Sequence, residues 1–207
     1  MTTPIFHITH VRNLPSIVAC SELRAIALLG QATFINLAHA RIQQQRARTK
    51  VPCGQGGSLH DYVPFYFGPR SPMLYAIFKN QVEGYLEGQD PIVHLVSSAE
   101  AVNQAQLDFL FTDGHAVMAV TEFFEDLSQL ANVDLPLMQA RLWRDTESDP
   151  DRKRRRQAEF LVHRRFPLTL VERIVVRTKA TRLAVEKVLR GAIHKPTVEM
   201  RSNWYYV

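Results

Sequence analysis

Five short runs rich in β-branched and aromatic residues, at 5–9, 62–67, 92–96, 159–162 and 174–177, constrain the fold most strongly. Each is strand-length, and the spacings between them are irregular. A crossover between parallel strands needs roughly a dozen residues including its helix. Only some of the intervals hold a helical pattern that long. The expectation is therefore a mixed α+β fold and not a doubly wound sheet. Helical spacing is clearest at residues 13–20, with Pro15 near the first turn, and at 121–130 and 181–189. Gly191 follows the last of these where a capping glycine belongs. Two stretches resist assignment: VPCGQGGSLH at 51–60, too glycine-rich for an element interior, and residues 144–157. Long irregular segments inside a compact domain are more often functional than accidental.

With 207 residues, 46% hydrophobic and 22% charged, the chain has the material for one domain with a real core, so residues 1–207 are read as a single unit. No apolar run approaches the ~20 residues that would cross a bilayer. The start, MTTPIFHIT, lacks a basic segment followed by a long apolar one, so no secretory signal is expected. Cys20 and Cys53 stand apart in no metal-like spacing. Two such cysteines fit a reducing cytoplasm, with no structural metal and no membrane association.

The net charge of +5 is unevenly spread. Residues 41–50 hold Arg41, Arg46, Arg48 and Lys50 and no acid, while residues 141–165 hold nine Lys or Arg against five acids. Clustered cations are what phosphate contacts require, although such runs are commonly just solvated faces. Phosphate-loop, dinucleotide-fingerprint, HExxH and GxSxG patterns are all absent from the sequence. P-loop hydrolases, Rossmann dehydrogenases and α/β-hydrolases are thereby disfavoured. His7 and His10, three apart at a strand end, fall on opposite faces and do not suit a shared metal. Glu159 heads the apolar run EFLV immediately after five consecutive cations, Arg152 to Arg156. A carboxylate at the head of a buried strand is costly unless it has a partner or a site to serve. Residues 60–75, HDYVPFYFGPRSPMLY, combine flat aromatic faces with a proline-rigid turn.

Taken together, FHITHVRNL, RARTKVP, GGSLHDYVPFYFGPRSPMLY, FTDGH and QAEFLV closely resemble the DarT family of DNA ADP-ribosyltransferase toxins, in the same order and nearly the same spacing. The likeness runs from Pro4 to Trp204 and Tyr205. It implies an ADP-ribosyltransferase-like fold, a split mixed β-sheet around an NAD cleft with surrounding helices, and reversible transfer of ADP-ribose from NAD to a base in single-stranded DNA. The implied antitoxin partner is a macrodomain protein of the DarG type. Thymidine is the expected base, with guanosine, modified by a second branch, as the alternative.

The resemblance carries roles onto particular residues. Glu159 matches the catalytic glutamate, whose fixed carboxylate stabilises an oxocarbenium-like transition state more than the ground state. Arg46 matches the essential arginine, assigned to the pyrophosphate and to the incoming base. A guanidinium is a poor proton acceptor. His115 in FTDGH matches a histidine near the target base. His7, Thr9 and Asn13 are placed at the nicotinamide amide and ribose, and Tyr66, Met73 and Tyr75 around the nicotinamide ring. The segment before Glu159 is expected to contact DNA through Trp143, Arg152, Lys153, Arg154, Arg155 and Arg156, an aromatic for stacking beside cations for phosphates. Rival readings are an NAD-dependent RNA 2′-phosphotransferase, which would not need Glu159 in this setting, and a non-catalytic nucleic-acid-binding module.

Overall fold

The computed structural model describes residues 2–140 and 142–207. In chain order, β1 (Pro4–His10) leads to α1 (Leu14–Cys20) and β2 (Glu22–Arg24), and an irregular segment then reaches α2 (Ala40–Arg48). There follow β3 (Tyr62–Tyr66), α3 (Pro72–Phe78), β4 (Ile92–Ser98), α4 (Ala99–Gln104), β5 (Phe109–Thr112) and β6 (Phe123–Phe124). The last third comprises α5 (Leu135–Gln139), α6 (Arg152–Arg155), β7 (Glu159–His163), β8 (Arg165–Pro167), β9 (Arg173–Val176), α7 (Lys179–Leu189) and β10 (Thr197–Met200).

Eight strands form one sheet in the order β10-β9-β4-β1-β3-β7-β5-β6, and β2 pairs with β8 alone. Among the described residues only β9 and β10 run parallel; the other pairings are antiparallel. This is the mixed α+β architecture expected from the irregular spacing. The sheet divides in its middle. β1 meets β4 over its whole length, from Pro4↔Ser98 to His10↔Ile92, yet meets β3 only at Phe6↔Tyr66. Pro64 in β3 has no N–H to give a ladder. Its carbonyl instead accepts a hydrogen bond from Nδ1 of His7, at 2.8 Å. That bond fixes the Nδ1–H tautomer, and burial holds the His7 pKa below its usual value, so the ring is neutral.

Alternation along the strands fills two main cores. Ile5, Phe65, Phe111, Phe160 and Phe166 lie in one, each wholly buried. Burying a side chain of this kind stabilises the fold by roughly 1.5–3 kcal/mol. Ile8, Leu74, Ile77, Tyr85, Ile92 and Tyr205 lie in the other, beneath α3. The glycine-rich stretch 51–60 is a loop, as its composition predicts. Gly57 sits there at φ +78, where a Cβ would meet the Asp61 carboxylate at 2.7 Å.

Two local expectations fail. Residues 121–130 do not form a helix: Phe123 and Phe124 pair with β5, and a 3-10 helix follows at Leu127–Asn132. Phe124 stacks on Phe111 at 5.4 Å, so a cross-strand aromatic contact overrides the helical periodicity. Gly191 is not a left-handed cap. Helix α7 ends through Arg190 in right-handed geometry, and Ala192 N–H closes onto the Leu189 carbonyl.

The second core is tied to the sheet by a wholly buried histidine. His94 donates from Nε2 to the Pro69 carbonyl at 2.9 Å and meets the Tyr205 hydroxyl at Nδ1, 3.2 Å away. Burial pushes its pKa from 6.5 down to about 4. The unfolded chain therefore binds the proton more readily than the folded one between those values, and stability is lost as pH falls through that window. The difference corresponds to about 3 kcal/mol. Denaturant titrations from pH 7 to pH 4 should show this decline, with a shallower slope in His94→Gln. An equal slope in the variant would place the acid sensitivity elsewhere.

Candidate active site

Where β1 and β3 part, a cleft of about 570 Å³ opens, a size typical of small-molecule sites. Tyr66 and Glu159 stand directly opposite each other in the β3–β7 register and both face it. Alternation along β7 explains the placement. Phe160 and Val162 turn into the main core, which sends Glu159 to the other face. Glu159 is 2% exposed and Arg46 8% exposed. They pair through Arg46 Nη1 and Glu159 Oε2 at 2.7 Å. Arg46 lies in the last turn of α2, where a cation also suits the helix dipole. Its second terminal nitrogen, Nη2, is buried without a protein partner. An orphaned guanidinium nitrogen beside a cleft marks a place for an anionic or carbonyl oxygen of a ligand.

The other carboxylate oxygen of Glu159 accepts the Ala116 N–H at 3.3 Å. Ala116 follows His115, which also lines the cleft. Burial is the main cause that lowers the His115 pKa, opposed by Glu159 and reinforced by Arg46. The imidazole is therefore neutral at pH 7. Tyr66 is pushed the other way, upward, by burial and by the Glu159 charge, and keeps its proton.

His7, Thr9, Asn13, Tyr66, Met73, Tyr75 and Trp143 all border the same cleft. Asn13 is not free within it. Its amide donates to Thr9 Oγ1 at 3.1 Å and to the Ile35 carbonyl at 3.0 Å, and its oxygen accepts the Ile35 N–H at 2.9 Å. Asn13 thus pins the segment around Ile35 to β1. That segment, with Leu23, Ile26, Leu29 and Phe34, supplies an apolar limb of the cleft. Nothing in its composition distinguished it as site-forming. Tyr75 and Trp143 meet edge to face at 5.5 Å, and Tyr206 packs on Tyr75 at 5.1 Å.

The five cations before Glu159 have divided fates. Arg154 grips Asp113 at 2.8 and 2.9 Å and Asp151 at 2.7 Å. Arg155 pairs with Asp134 and with Asp149, the latter at 2.6 and 2.7 Å. Arg156 is 2% exposed, and its Nη2 donates to the Arg70 carbonyl at 2.8 Å. These three guanidiniums are engaged by partners within the protein. The signal was in the sequence: Asp151 stands three and four residues before Arg154 and Arg155. Arg152 donates to the Leu142 carbonyl at 2.9 and 3.0 Å and lies 3.5 Å from the Asp149 carboxylate. Lys153 has no ion-pair partner among the described residues, and it borders the cleft. Arg141, counted in the basic stretch, lies outside the described residues.

A split mixed sheet with a buried Arg–Glu pair at a ligand-sized cleft defines an ADP-ribosyltransferase-like protein, and solved structures agree. Thermus sp. 2.9 DarT in complex with ADP-ribosylated ssDNA matches with a TM-score of 0.93 and 46% identity, covering 99% of this chain and 96% of that one. The same protein in complex with NAD+ matches at 0.87, with 44% identity and 99% and 98% coverage. In sequence, a DNA ADP-ribosyl transferase from Thermus sp. (strain 2.9) is 46% identical over 206 residues, 99% of this chain and 96% of the relative. A DNA ADP-ribosyl transferase-DNA ADP-ribosyl glycohydrolase fusion protein from Thermosipho africanus is 23% identical over 160 residues, 76% of this chain and 38% of the fusion. The family described as ssDNA thymidine ADP-ribosyltransferase, DarT, matches residues 6–206. The chain belongs to the DarT family. Among the described residues, no group of three or more His, Cys, Asp or Glu is placed to hold a metal, and no helix is long and apolar enough to cross a membrane.

The Arg154 clamp joins the His115 turn to the segment preceding Glu159. Removing one partner of a mostly buried, doubly paired guanidinium costs about 2 kcal/mol after discounting for its partial exposure. Arg154→Met should therefore lower Tm by about 4–8 °C in a chain of this size. Thermal denaturation checks it, and an unchanged Tm would show that the clamp carries no stability.

Proposed function

We propose that this chain is a toxin that transfers ADP-ribose from NAD to the thymine base of single-stranded DNA, releasing nicotinamide. Residues 1–207 act as one ADP-ribosyltransferase domain in this reading. The carrying observation is the buried Arg46–Glu159 pair, with its unpartnered Arg46 Nη2, at a cleft of about 570 Å³. Full-length similarity to a DarT solved with NAD+ and with ADP-ribosylated ssDNA supports the assignment of both substrates.

NAD supplies the ADP-ribosyl group and the nicotinamide leaving group. Glu159, an acceptor with lone pairs to spare beyond its bonds to Arg46 and Ala116, receives a hydrogen bond from the ribose hydroxyl next to the reacting carbon. Its fixed charge stabilises the positive charge that develops as the glycosidic bond breaks. Arg46 Nη2 faces the pyrophosphate or a carbonyl of the base. The backbone of β1 past Phe6, unpaired with β3, is available to the carboxamide, beside His7 and Thr9. Tyr66, Met73 and Tyr75 flank the nicotinamide, and Asn13 acts by holding the Ile35 segment. Trp143, Lys153 and Arg152 meet the DNA strand.

A thymine in DNA has one ring N–H, and that proton must leave whichever base atom bonds the ribose. Arg46, a guanidinium already bound to the Glu159 carboxylate, is not placed to take it. His115, neutral through burial and bordering the same cleft, is the acceptor. The fusion of a transferase with a DNA ADP-ribosyl glycohydrolase in a relative supports a macrodomain antitoxin of the DarG type as the partner that reverses the modification. Two free thiols, with Cys20 exposed, suit a cytoplasmic location.

Mass spectrometry of two single-stranded oligonucleotides, one without thymidine and one without guanosine, tests the reading. With NAD, the protein should add one ADP-ribose unit only to the strand containing thymidine. Glu159→Gln, which keeps a hydrogen-bonding side chain beside Arg46, should slow transfer by about 10²–10³. Modification of the thymidine-free strand alone would reassign the base to guanosine. DNA binding with NAD untouched would favour a non-catalytic module.

The role of His115 predicts a pH profile. Transfer should be level near neutrality and fall as pH drops through a value below 6.5, because the protonated ring accepts nothing. His115→Gln should reduce the plateau by about 10²–10⁴ and remove that acid limb. An identical limb in the variant would exclude His115 as the acceptor.

A further inference from the structure

We propose that Thr112 is a positioning residue for transfer, a role that rests on Glu159 being the catalytic carboxylate. Thr112 is the last residue of β5 and is wholly buried. The β5–β7 register runs from Phe109↔Val162 to Phe111↔Phe160 and stops one residue short of Glu159. The Thr112 hydroxyl takes the place of the missing ladder partner. Its oxygen accepts the Glu159 N–H at 3.0 Å, and its proton goes to the Gly114 carbonyl at 2.7 Å.

Those two bonds close a circuit. Gly114 begins the turn that brings the Ala116 N–H to Glu159 Oε1, so one hydroxyl sets both the head of β7 and the donor that orients its carboxylate. The turn is also held from outside. A Cβ on Gly114 would collide with the Arg154 guanidinium, His115 N–H donates to the Arg154 carbonyl at 3.1 Å, and Thr121 Oγ1 donates to the His115 carbonyl at 2.8 Å. Between these supports, a small change at Thr112 displaces Glu159 and His115 relative to each other. Transition-state stabilisation by a fixed group depends on that relative position, whereas ground-state binding of NAD along the cleft does not.

Thr112→Val preserves shape and removes the hydroxyl, and Thr112→Ser preserves the hydroxyl. Steady-state transfer to a thymidine-containing oligonucleotide, assayed well below each variant's measured Tm, should show kcat lowered by about 10–100-fold in Thr112→Val with KM for NAD changed less than about twofold. Thr112→Ser should recover most of the rate. Wild-type kcat in Thr112→Val overturns the proposal. So does a loss confined to KM, or a loss that Thr112→Ser shares in full, since the hydroxyl would then not be the cause. Wild-type protein run alongside separates the two claims: its inactivity would remove the transferase reading and Thr112's role with it, whereas an active wild type with unaffected variants removes only the latter.

Discussion

The ion pair between Arg46 and Glu159 spans 113 positions of sequence and sets the terms on which the cleft exists. Neither group would tolerate its burial alone, because an unpaired ion in a low-dielectric setting costs several kcal/mol. Helix α2 and strand β7 are therefore bound to each other wherever the chain folds. The pair is nevertheless incomplete on the side of Arg46, where Nη2 has no protein partner. Arg154, by contrast, gives its donors to two aspartates and a threonine. Arg156 and Arg173 also hold a buried nitrogen without a partner, but neither residue lines the cleft, as Arg46 does.

Space beside that pair comes from a sheet that does not close. β1 spends one edge on seven pairings with β4 and almost none of the other on β3. Pro64 removes a donor from the facing strand, and the neutral His7 ring spans the gap with a single bond. The result holds the two halves in fixed relation without filling the space between them. Proline in a central strand is ordinarily a defect. Here it leaves β1 and β3 joined at Phe6↔Tyr66, beside the cleft that Tyr66 and Glu159 face.

Much of this was legible in the sequence. The five strands expected from apolar and aromatic runs all exist, within one or two residues at their ends. Strands β2, β5, β6, β8 and β10 are two to four residues long and carry too few alternations to announce themselves. Residues 121–130 mimic helical spacing because Phe123, Phe124 and Leu127 are apolar for different neighbours. Glu159 could be singled out from its place at the head of a buried strand. Arg46 and His115 could be named only by family likeness, because what makes them notable is long-range pairing that local pattern does not encode. Thr112 and Ala116 act through a hydroxyl and a backbone N–H in a turn, which leave no compositional mark at all.

The basic segment before Glu159 shows why charge density in sequence overstates charge available to a ligand. Four of its five cations are neutralised or sequestered by Asp113, Asp134, Asp149, Asp151 and backbone carbonyls. Those bonds cross from α6 to the His115 turn and to the start of α5. They turn a stretch with little apolar anchoring into a rigid wall of the cleft. Had the same guanidiniums remained solvated, each would have added roughly one phosphate contact and a salt-dependent gain in affinity, at the expense of a wall free to move. A reaction that depends on placing a base against a reacting carbon gains more from fixed geometry than from additional non-specific attraction. Lys153, without an ion-pair partner among the described residues, stands at the border of that wall.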